Sequence, residues 1–212
     1  MTYLEHVGKY FVMLGRVFKK PQKPLIFYQA LLKEIEDLGI KSLGIIMFIS
    51  FFIGGVISLQ TALNLDSPFI PDSLIGFAAK RSIILEFAPT FCSIILAGKV
   101  GSYITSSLGT MRVTEQIDAL EVMGINSLNL LVLPKIIAAL FFYPFLILLA
   151  MCLGIFGGWV AGVLSGLFTG ADYIIGLQTD FDPFLIVYAL TKTLIFSFII
   201  ATVPSYHGYY VK

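Results

Sequence analysis

Long runs of apolar residues alternate with short polar segments along the chain. Four of these runs are long enough for a transmembrane helix, which needs about 20 residues to cross a hydrocarbon core of about 30 Å. The runs cover residues 42–63, 83–108, 136–167 and 184–203. The pattern therefore predicts an all-α fold, a polytopic membrane helical bundle with about four spans.

The third run is the longest, and its 32 residues would reach about 48 Å as one straight α-helix. That length is too great for one perpendicular span and too short for two spans joined by a turn. We therefore predict a single long helix that is tilted, or bent near Pro144. The acidic segment after it, which contains Asp172, Asp180 and Asp182, is predicted to be a loop.

The segment before the first span carries two amphipathic patterns. Apolar residues recur at three- and four-residue steps up to Phe18, and a second such pattern follows Pro24 and ends at Gly39. A helix with one apolar and one cationic face is suited to the headgroup layer of a membrane. We therefore divide the chain into interfacial helices over 1–41 and a membrane domain over 42–212. These helices either simply pack on the membrane domain or have a specific docking role.

The composition agrees with a membrane protein. Hydrophobic residues make up 58% of the 212 residues and charged residues 13%, against roughly 45–50% and about 25% in soluble domains. The mean hydropathy is +0.91. A formal net charge of +1 excludes a broad basic surface for nucleic acid. Cys92 and Cys152 lie in apolar runs, so we expect neither a disulfide framework nor a metal site.

Lysine and arginine are distributed unevenly between the two sides of the predicted bundle. The N-terminal segment, the central segment and the C-terminal tail together carry eleven of them, whereas the opposite loops carry only Lys80 and Arg81. Positive residues accumulate on the cytoplasmic side of membrane proteins. We therefore predict that the N-terminus and residues 109–129 are cytoplasmic.

Two of the ionisable residues inside predicted spans, where an unpaired charge is costly, are good candidates for a function. Counted from the outer ends of their spans, Glu86 lies about 5 Å deep and Lys192 about 12 Å deep. A lysine side chain can extend back toward the interface, so these two charges could pair or line one outward-facing cavity. A purely structural ion pair is the alternative. Pro89 removes the amide donor for the Leu85 carbonyl and is expected to kink the span, for packing or for gating.

Small residues recur along two of the predicted spans. In the third span they form a ridge against which another helix can pack closely, and the members of this ridge are Gly154, Gly158, Gly162 and Gly166. Gly98, Ser102 and Ser106 form a weaker version in the second span. Both are predicted to be helix–helix seams. The sequence of one chain leaves two positions open for the third-span seam, within the subunit or between subunits.

The polar central segment predicts a short cytoplasmic helix over residues 115–123. Thr114 is suited to cap this helix and Gly124 to end it. Its apolar side is formed by Val113, Ile117, Leu120 and Met123. So short a helix is not stable alone in water. Its apolar side must therefore be covered, by the membrane domain or by a soluble partner with a groove.

Sequence motifs of nucleotide binding and hydrolysis are absent. The sequence contains no G-x-x-x-x-G-K-[ST] loop, no H-E-x-x-H and no G-x-S-x-G. We therefore expect no catalytic residue and no cofactor bound by this chain. A passive channel is one alternative, but it would need a continuous polar stripe through the spans, and only the isolated Glu86 and Lys192 are present. A membrane scaffold is a further alternative.

Three stretches resemble the signature of the MlaE/YrbE permease family. They are Glu86-Phe87-Ala88-Pro89, residues 96–102 and residues 108–124. Further matches lie at Pro134-Lys135, Gly157-Gly158 and His207-Gly208-Tyr209, whereas Lys99 and Lys135 stand where many members have arginine. The likeness covers most of the chain, and the stretch of nearly forty residues from 86 to 124 is highly specific.

This resemblance implies a permease subunit of a bacterial ABC transporter that moves phospholipids between the inner and outer membranes. It implies a homodimer in the inner membrane, bound to two ATPase subunits (MlaF-like) that bind ATP, and to an MCE-domain protein (MlaD-like). An ABC permease for another hydrophobic substrate is the alternative. Family members continue for several tens of residues and a fifth span beyond the Gly208-Tyr209 region, so a C-terminally truncated version is expected.

The resemblance also assigns roles to residues. It implies that the 115–123 helix is the coupling helix seated in the ATPase, with contacts from Glu115, Asp118, Leu120, Glu121 and Met123. It implies that Glu86 and Lys192, with Pro89 beside them, lie near the lipid cavity.

Overall fold

The computed structural model describes residues 3–18, 24–65 and 71–211. These residues form ten α-helices and two π-helical segments, with no strand among them. The α-helices are α1 (Tyr3–Val17), α2 (Pro24–Glu34), α3 (Lys41–Asn64), α4 (Ser73–Ser82), α5 (Cys92–Val113), α6 (Gln116–Val122), α7 (Ser127–Leu131), α8 (Leu133–Ser165), α9 (Gly170–Gln178) and α10 (Phe184–Tyr209). The π-helical segments, Ile35–Ile40 and Ile83–Phe91, join α2 to α3 and α4 to α5. The predicted all-α fold is confirmed.

Four continuous helical stretches of the described chain are long and apolar enough to cross a membrane. They are Pro24–Asn64, Ser73–Val113, Ser127–Ser165 and Phe184–Tyr209. Each stretch matches one predicted span, although the third ends at Ser165, two residues before the predicted end. The prediction of about four spans is confirmed. The third run forms one helix of 33 residues that continues through Pro144, as the length argument predicted.

The acidic segment between the third and fourth spans is predicted to be a loop, but it contains α9. This prediction is therefore wrong. The Thr169 side chain accepts a hydrogen bond from the backbone N–H of Asp172 at 3.2 Å, which caps the first turn of α9. Threonine three residues before an acidic residue is a sequence signal for a helix start. This signal was available in the sequence and was missed.

Gly39 does not end a helix, contrary to the prediction. The chain continues from the first π-helical segment directly into α3. A Cβ atom at Gly39 would lie 2.5 Å from the ring of Phe142 on α8. Gly39 therefore serves close helix packing, because an aromatic ring occupies the space that a larger side chain would need.

Contacts divide the chain into two compact units. Unit 1 contains the described residues of 1–42, 96–143 and 195–212, and unit 2 contains those of 43–95 and 144–194. The long helices therefore contribute residues to both units. The predicted division at residue 41 into interfacial helices and a membrane domain stays a prediction.

In unit 1, α1 has apolar residues on two sides. Met13 and Val17 are fully buried, and the Tyr10 hydroxyl lies 2.8 Å from the Thr202 hydroxyl of α10. On the other side Leu4 is 82% exposed and other apolar side chains, Val7, Phe11, Val12 and Phe18, are exposed as well. One side of α1 thus packs on the protein, and the exposed apolar side supports the predicted position at the membrane interface.

In unit 2, α4 and α9 pack closely and share a buried lysine. Lys80 is only 2% exposed, and its Nζ donates to the carbonyl oxygens of Leu177 at 3.0 Å and Thr179 at 2.7 Å. These carbonyls lie at the C-terminal end of α9, where no intrahelical donor is available. The sequence pattern assigns Lys80 to an outer loop. In the structure its buried side chain instead caps the C-terminal end of α9.

Candidate functional site

Glu86 and Lys192 form an ion pair within unit 2. Nζ of Lys192 lies 2.7 Å from Oε2 of Glu86. The lysine side chain is 21% exposed, whereas the glutamate side chain is 62% exposed. The two charges that the sequence placed near each other therefore meet, and the carboxylate presents its open side to the outside of the chain.

The backbone that carries Glu86 is π-helical from Ile83 to Phe91. Such segments are rare and occur frequently at functional sites. Pro89 lies buried inside this segment. An α-helix would require a hydrogen bond from residue 89 to the carbonyl of Leu85, and proline has no N–H to donate. Nζ of Lys192 lies 3.4 Å from that carbonyl oxygen. The effect of Pro89 is thus a changed hydrogen-bond register, while its gating role stays a prediction.

A small cavity lies beside this π-helical segment in unit 2. The residues that line it are Ser50, Ile53, Ile83, Phe87, Ala88, Cys92, Ala150 and Gly154. Its walls are mostly apolar, and Ser50 Oγ lies 3.5 Å from Cys92 Sγ. Glu86 and Lys192 do not line this cavity, so their predicted place at a lipid cavity stays a prediction.

Glycines of α3 and α8 form a close seam within unit 2. A Cβ atom at Gly54 would overlap the carbonyl oxygen of Gly154, and a Cβ atom at Gly157 would overlap that of Phe51. A Cβ atom at Gly158 would overlap the Ser58 hydroxyl oxygen. Only glycine permits so close an approach of two helix backbones. The seam therefore lies within the chain, which answers the question that the sequence left open.

The predicted ridge is corrected at its far end. Gly162 faces the ring of Phe168, which follows α8, and not another span. Gly166 lies beyond the end of α8 and has φ +70°, the left-handed conformation typical of the residue that ends a helix. Gly157 belongs to the seam instead, although a strict four-residue repeat does not include it.

Thr114 and Glu115 make the turn between α5 and α6. Glu115 has φ +59°, a left-handed conformation that residues other than glycine rarely adopt. The prediction that Thr114 caps α6 is wrong, because the Thr114 hydroxyl donates instead to the Thr110 carbonyl oxygen at 2.8 Å. Gly124, with φ +73°, ends the helix as predicted. The Ile125 N–H then donates to the Leu120 carbonyl oxygen at 3.0 Å, as in a Schellman motif.

The chain itself covers only part of the apolar side of α6. Ile117 is fully buried and Leu120 is half-buried, whereas Met123 is 64% exposed. Val122, which the predicted apolar side did not include, is 89% exposed. The acidic residue Asp118 pairs with Arg112 at 2.5 Å. The tip of α6 therefore presents apolar side chains next to exposed acidic ones.

Glu121 attaches α6 to the end of α10 within unit 1. The Tyr209 hydroxyl donates to Oε1 of Glu121 at 2.7 Å, and the Ser127 hydroxyl donates to the same atom at 3.1 Å. Tyr209 is the last residue of α10 and is buried. Sequence reasoning missed this link because the two residues are 88 positions apart and no local pattern relates them.

The link predicts a pH dependence of α6. The hydrogen bond from Tyr209, aided by Ser127 and by the charges of Arg112 and Arg16, lowers the pKa of Glu121 from its ordinary value of 4.5, against desolvation, which raises it. A carboxyl group with a lowered pKa stabilises the folded state above its unfolded pKa, and this contribution is lost as pH falls through the folded pKa.

We therefore expect the hydrogen-exchange protection of the α6 amides, corrected for intrinsic exchange, to decrease as pH falls below about 4.5. In Glu121→Gln, protection should be lower at neutral pH and should change less across this window. Equal pH profiles for the two proteins would contradict the assignment of this carboxylate.

Comparison with known proteins gives a family match and several relatives. The family model described as Permease MlaE matches residues 31–212. A probable ABC transporter permease protein of Rickettsia bellii is 32% identical over 206 residues, which cover 97% of this chain and 79% of that protein. The intermembrane phospholipid transport system permease protein MlaE of Haemophilus influenzae is 29% identical over 94% of this chain and 76% of its own length. The chloroplastic protein trigalactosyldiacylglycerol 1 of Arabidopsis thaliana is 30% identical over 93% of this chain and 56% of its own length.

Proposed function

The chain belongs to the MlaE permease family, and from this premise we propose that it is the membrane permease subunit of an ABC transporter that moves phospholipids between the inner and outer membranes. It is a multi-pass membrane protein with four spans in its described part, and the chain itself is a permease and not an enzyme. ATP is bound and hydrolysed by a separate ATPase subunit. The observation that carries this proposal is the exposed tip of α6.

The tip of α6 has the properties of a docking element. Val122 and Met123 are exposed apolar residues on a helix too short to be stable by itself. Ile117 holds this helix on unit 1, so the remaining apolar side chains are available to a groove in a soluble partner. The ATPase subunit is that partner, and its contacts include Glu115 and Asp118.

The coupling path runs from α6 into α10. A push on α6 reaches Tyr209 through the carboxylate of Glu121. Tyr209 and Lys192 lie on the same continuous helix, at its end and near its beginning. Closure of the ATPase subunits therefore changes the position of Lys192 relative to Glu86, and this ion pair opens and closes on the substrate.

The exposure of Glu86 supports a polar cavity at this ion pair. A carboxylate that is 62% exposed within a span is costly against hydrocarbon and requires water or a polar ligand on its open side. A phospholipid headgroup supplies both charges, because its phosphate matches Lys192 and an ammonium group matches Glu86. The acyl chains then lie against the leucine, isoleucine and phenylalanine side chains of the spans.

The wider assembly follows from the same proposal. The permease forms a homodimer in the bacterial inner membrane, with a cytoplasmic N-terminus, and binds an MCE-domain protein on the other side. A stripe of small exposed residues on α5, Gly98, Ser102 and Ser106, supports a seam with a second copy. Apart from its chain neighbours and the backbone of its own helix, no described atom lies within 4 Å of a Cβ atom built at Gly98.

Co-purification tests the ATPase assignment. The triple change Glu115→Ala, Asp118→Ala and Leu120→Ala is expected to abolish co-purification of the ATPase with the permease, because it removes two charges and one half-buried apolar contact from α6. Survival of the complex after this triple change would show that α6 is not the coupling helix.

A matched pair of variants separates docking from general surface effects. Val122→Ser with Met123→Ser should weaken the complex at least tenfold, since both side chains are exposed at the proposed interface. Ile174→Ser with Ile175→Ser changes two exposed apolar residues of α9, on the predicted opposite side, and should leave ATPase binding unchanged.

A further inference from the structure

Unit 1 contains a cavity of about 220 Å³ that is lined by both charged and apolar side chains and shares no residue with the Glu86–Lys192 site. Residues of α2, α5, α7 and the start of α8 line it. The lining residues are Ala30, Lys33, Glu34, Tyr103, Ser107, Leu108, Met111, Leu130, Leu131, Pro134 and Lys135. A single water needs only about 10–15 Å³, so this cavity has room for a chemical group of several heavy atoms.

A buried ion pair forms one wall of the cavity. Nζ of Lys135 lies 2.5 Å from Oε1 of Glu34, and the two side chains are 4% and 14% exposed. The same Nζ lies 5.2 Å from the centroid of the Tyr103 ring. The lysine is therefore well compensated by a carboxylate and an aromatic face.

The other oxygen of Glu34 lacks such compensation. Oε2 is buried and accepts no hydrogen bond from any residue that the structure describes. A buried carboxylate oxygen without a donor costs free energy. Since the last torsion of a glutamate side chain is soft, a small rotation turns this oxygen toward a donor in the cavity that Glu34 lines.

The remaining walls combine a second cation with apolar side chains. Lys33 lies one residue before Glu34 and also lines the cavity. The Tyr103 hydroxyl donates to Asp37 at 2.8 Å, so it offers only an acceptor to a ligand. Leu108 and Met111 supply apolar surface on α5. The cavity thus suits a ligand with a hydrogen-bond-donating cation, an anion and an adjoining apolar part.

We propose that this cavity binds the headgroup of an aminophospholipid, with the primary ammonium at Glu34 and the phosphate at Lys33. A primary ammonium offers three N–H donors to the uncompensated oxygen, whereas a quaternary ammonium offers none. An anionic headgroup without an amine leaves that oxygen without a donor. This site is additional to the proposed transport site at Glu86 and Lys192.

The occupant is a membrane lipid because α2 carries apolar residues on its outer surface. Leu25 is 73% exposed, Tyr28 is 58% exposed and Leu32 is 49% exposed. These side chains belong to the same helix as Glu34 and provide a path for acyl chains in the adjoining leaflet. A soluble phosphoamine would gain nothing from this surface.

Lipid retention in nanodiscs tests the proposal. The protein is incorporated with equal amounts of phosphatidylethanolamine, phosphatidylcholine and phosphatidylglycerol, re-extracted, and its bound lipid is identified by native mass spectrometry. We expect phosphatidylethanolamine to be retained at least tenfold over the other two, and Glu34→Gln to remove this preference. Glu36→Gln, at a neighbouring exposed position that does not line the cavity, is the matched control and should retain it.

A second variant guards against loss of folding in Glu34→Gln. Ser107→Leu fills the cavity from α5 and leaves the Glu34–Lys135 pair in place, so it should lose the bound lipid while eluting as a folded protein.

All variants are also measured in a Glu86→Ala/Lys192→Ala background, which removes lipid held at the transport site and separates this proposal from the transport function. Equal retention of the three lipids, wild-type retention by Ser107→Leu, or equally tight binding of free phosphoethanolamine would each overturn the assignment.

Discussion

Lys192→Ala and Glu86→Ala are each expected to reduce phospholipid transport at least tenfold in proteoliposomes that contain the permease and its ATPase. Each change removes one member of the 2.7 Å ion pair and leaves the other charge unpaired within a span. A tenfold loss corresponds to about 1.4 kcal/mol, a modest demand for removal of a charge-assisted contact. The amount of assembled complex should stay unchanged, as measured by size-exclusion chromatography.

A charge exchange distinguishes a structural pair from a substrate contact. The double variant Glu86→Lys/Lys192→Glu restores the ion pair with reversed polarity, so a purely structural role predicts recovered transport. A headgroup contact predicts continued loss, because each charge then meets the wrong part of the lipid. Arg81→Gln, an exposed cation on α4, should transport normally and controls for changes in surface charge. Full transport by both single alanine variants would remove Glu86 and Lys192 from the mechanism.

Gly54→Ala is expected to destabilise the protein by about 3 kcal/mol or more. The added Cβ atom would overlap the backbone carbonyl oxygen of Gly154, and a backbone atom cannot rotate away as a side chain can. The α3–α8 seam must therefore separate, which removes packing along both helices. Thermal unfolding in detergent, followed by the fluorescence of Trp159, the single tryptophan, measures the loss.

Gly44→Ala provides the matched control for this variant. Gly44 lies on the same helix, and a Cβ atom there would have no described atom within 4 Å apart from its chain neighbours and the backbone of its own helix. Its replacement should leave the melting temperature unchanged or raise it slightly, because alanine favours a helix over glycine by up to about 1 kcal/mol. Equal melting temperatures for the two variants would show that the seam is looser than described.

The sequence predicted best those features that depend on local composition. The four spans could be found because a bilayer requires about 20 consecutive apolar residues wherever a helix crosses it. Gly124 could be identified as the end of α6 because a left-handed residue after a helix favours glycine. The meeting of Glu86 with Lys192 followed from their depths in spans that enter from the same side and from the reach of a lysine side chain.

Features that depend on distant residues could not be found in this way. Lys80 reaches the carbonyl of Thr179 across 99 positions, and Lys135 reaches Glu34 across 101. A four-residue glycine repeat marked a packing surface, but it gave neither the partner Gly54 nor the place of Gly166 beyond the helix. In each case the same residue types would suit several partners, and only the packing of the helices selects one.

By itself, therefore, the sequence determined that this protein is a helical membrane protein, where its spans run, and which intramembrane charges it carries. These properties follow from transfer of apolar side chains out of water and from the cost of isolated charges in hydrocarbon. The tertiary structure alone decided which backbones touch at the glycine seam, that Glu121 attaches α6 to α10, and that Glu34 and Lys135 form an ion pair beside a cavity. Hydrogen bonds and close contacts act over only a few ångströms, so such pairings exist only once the helices are packed.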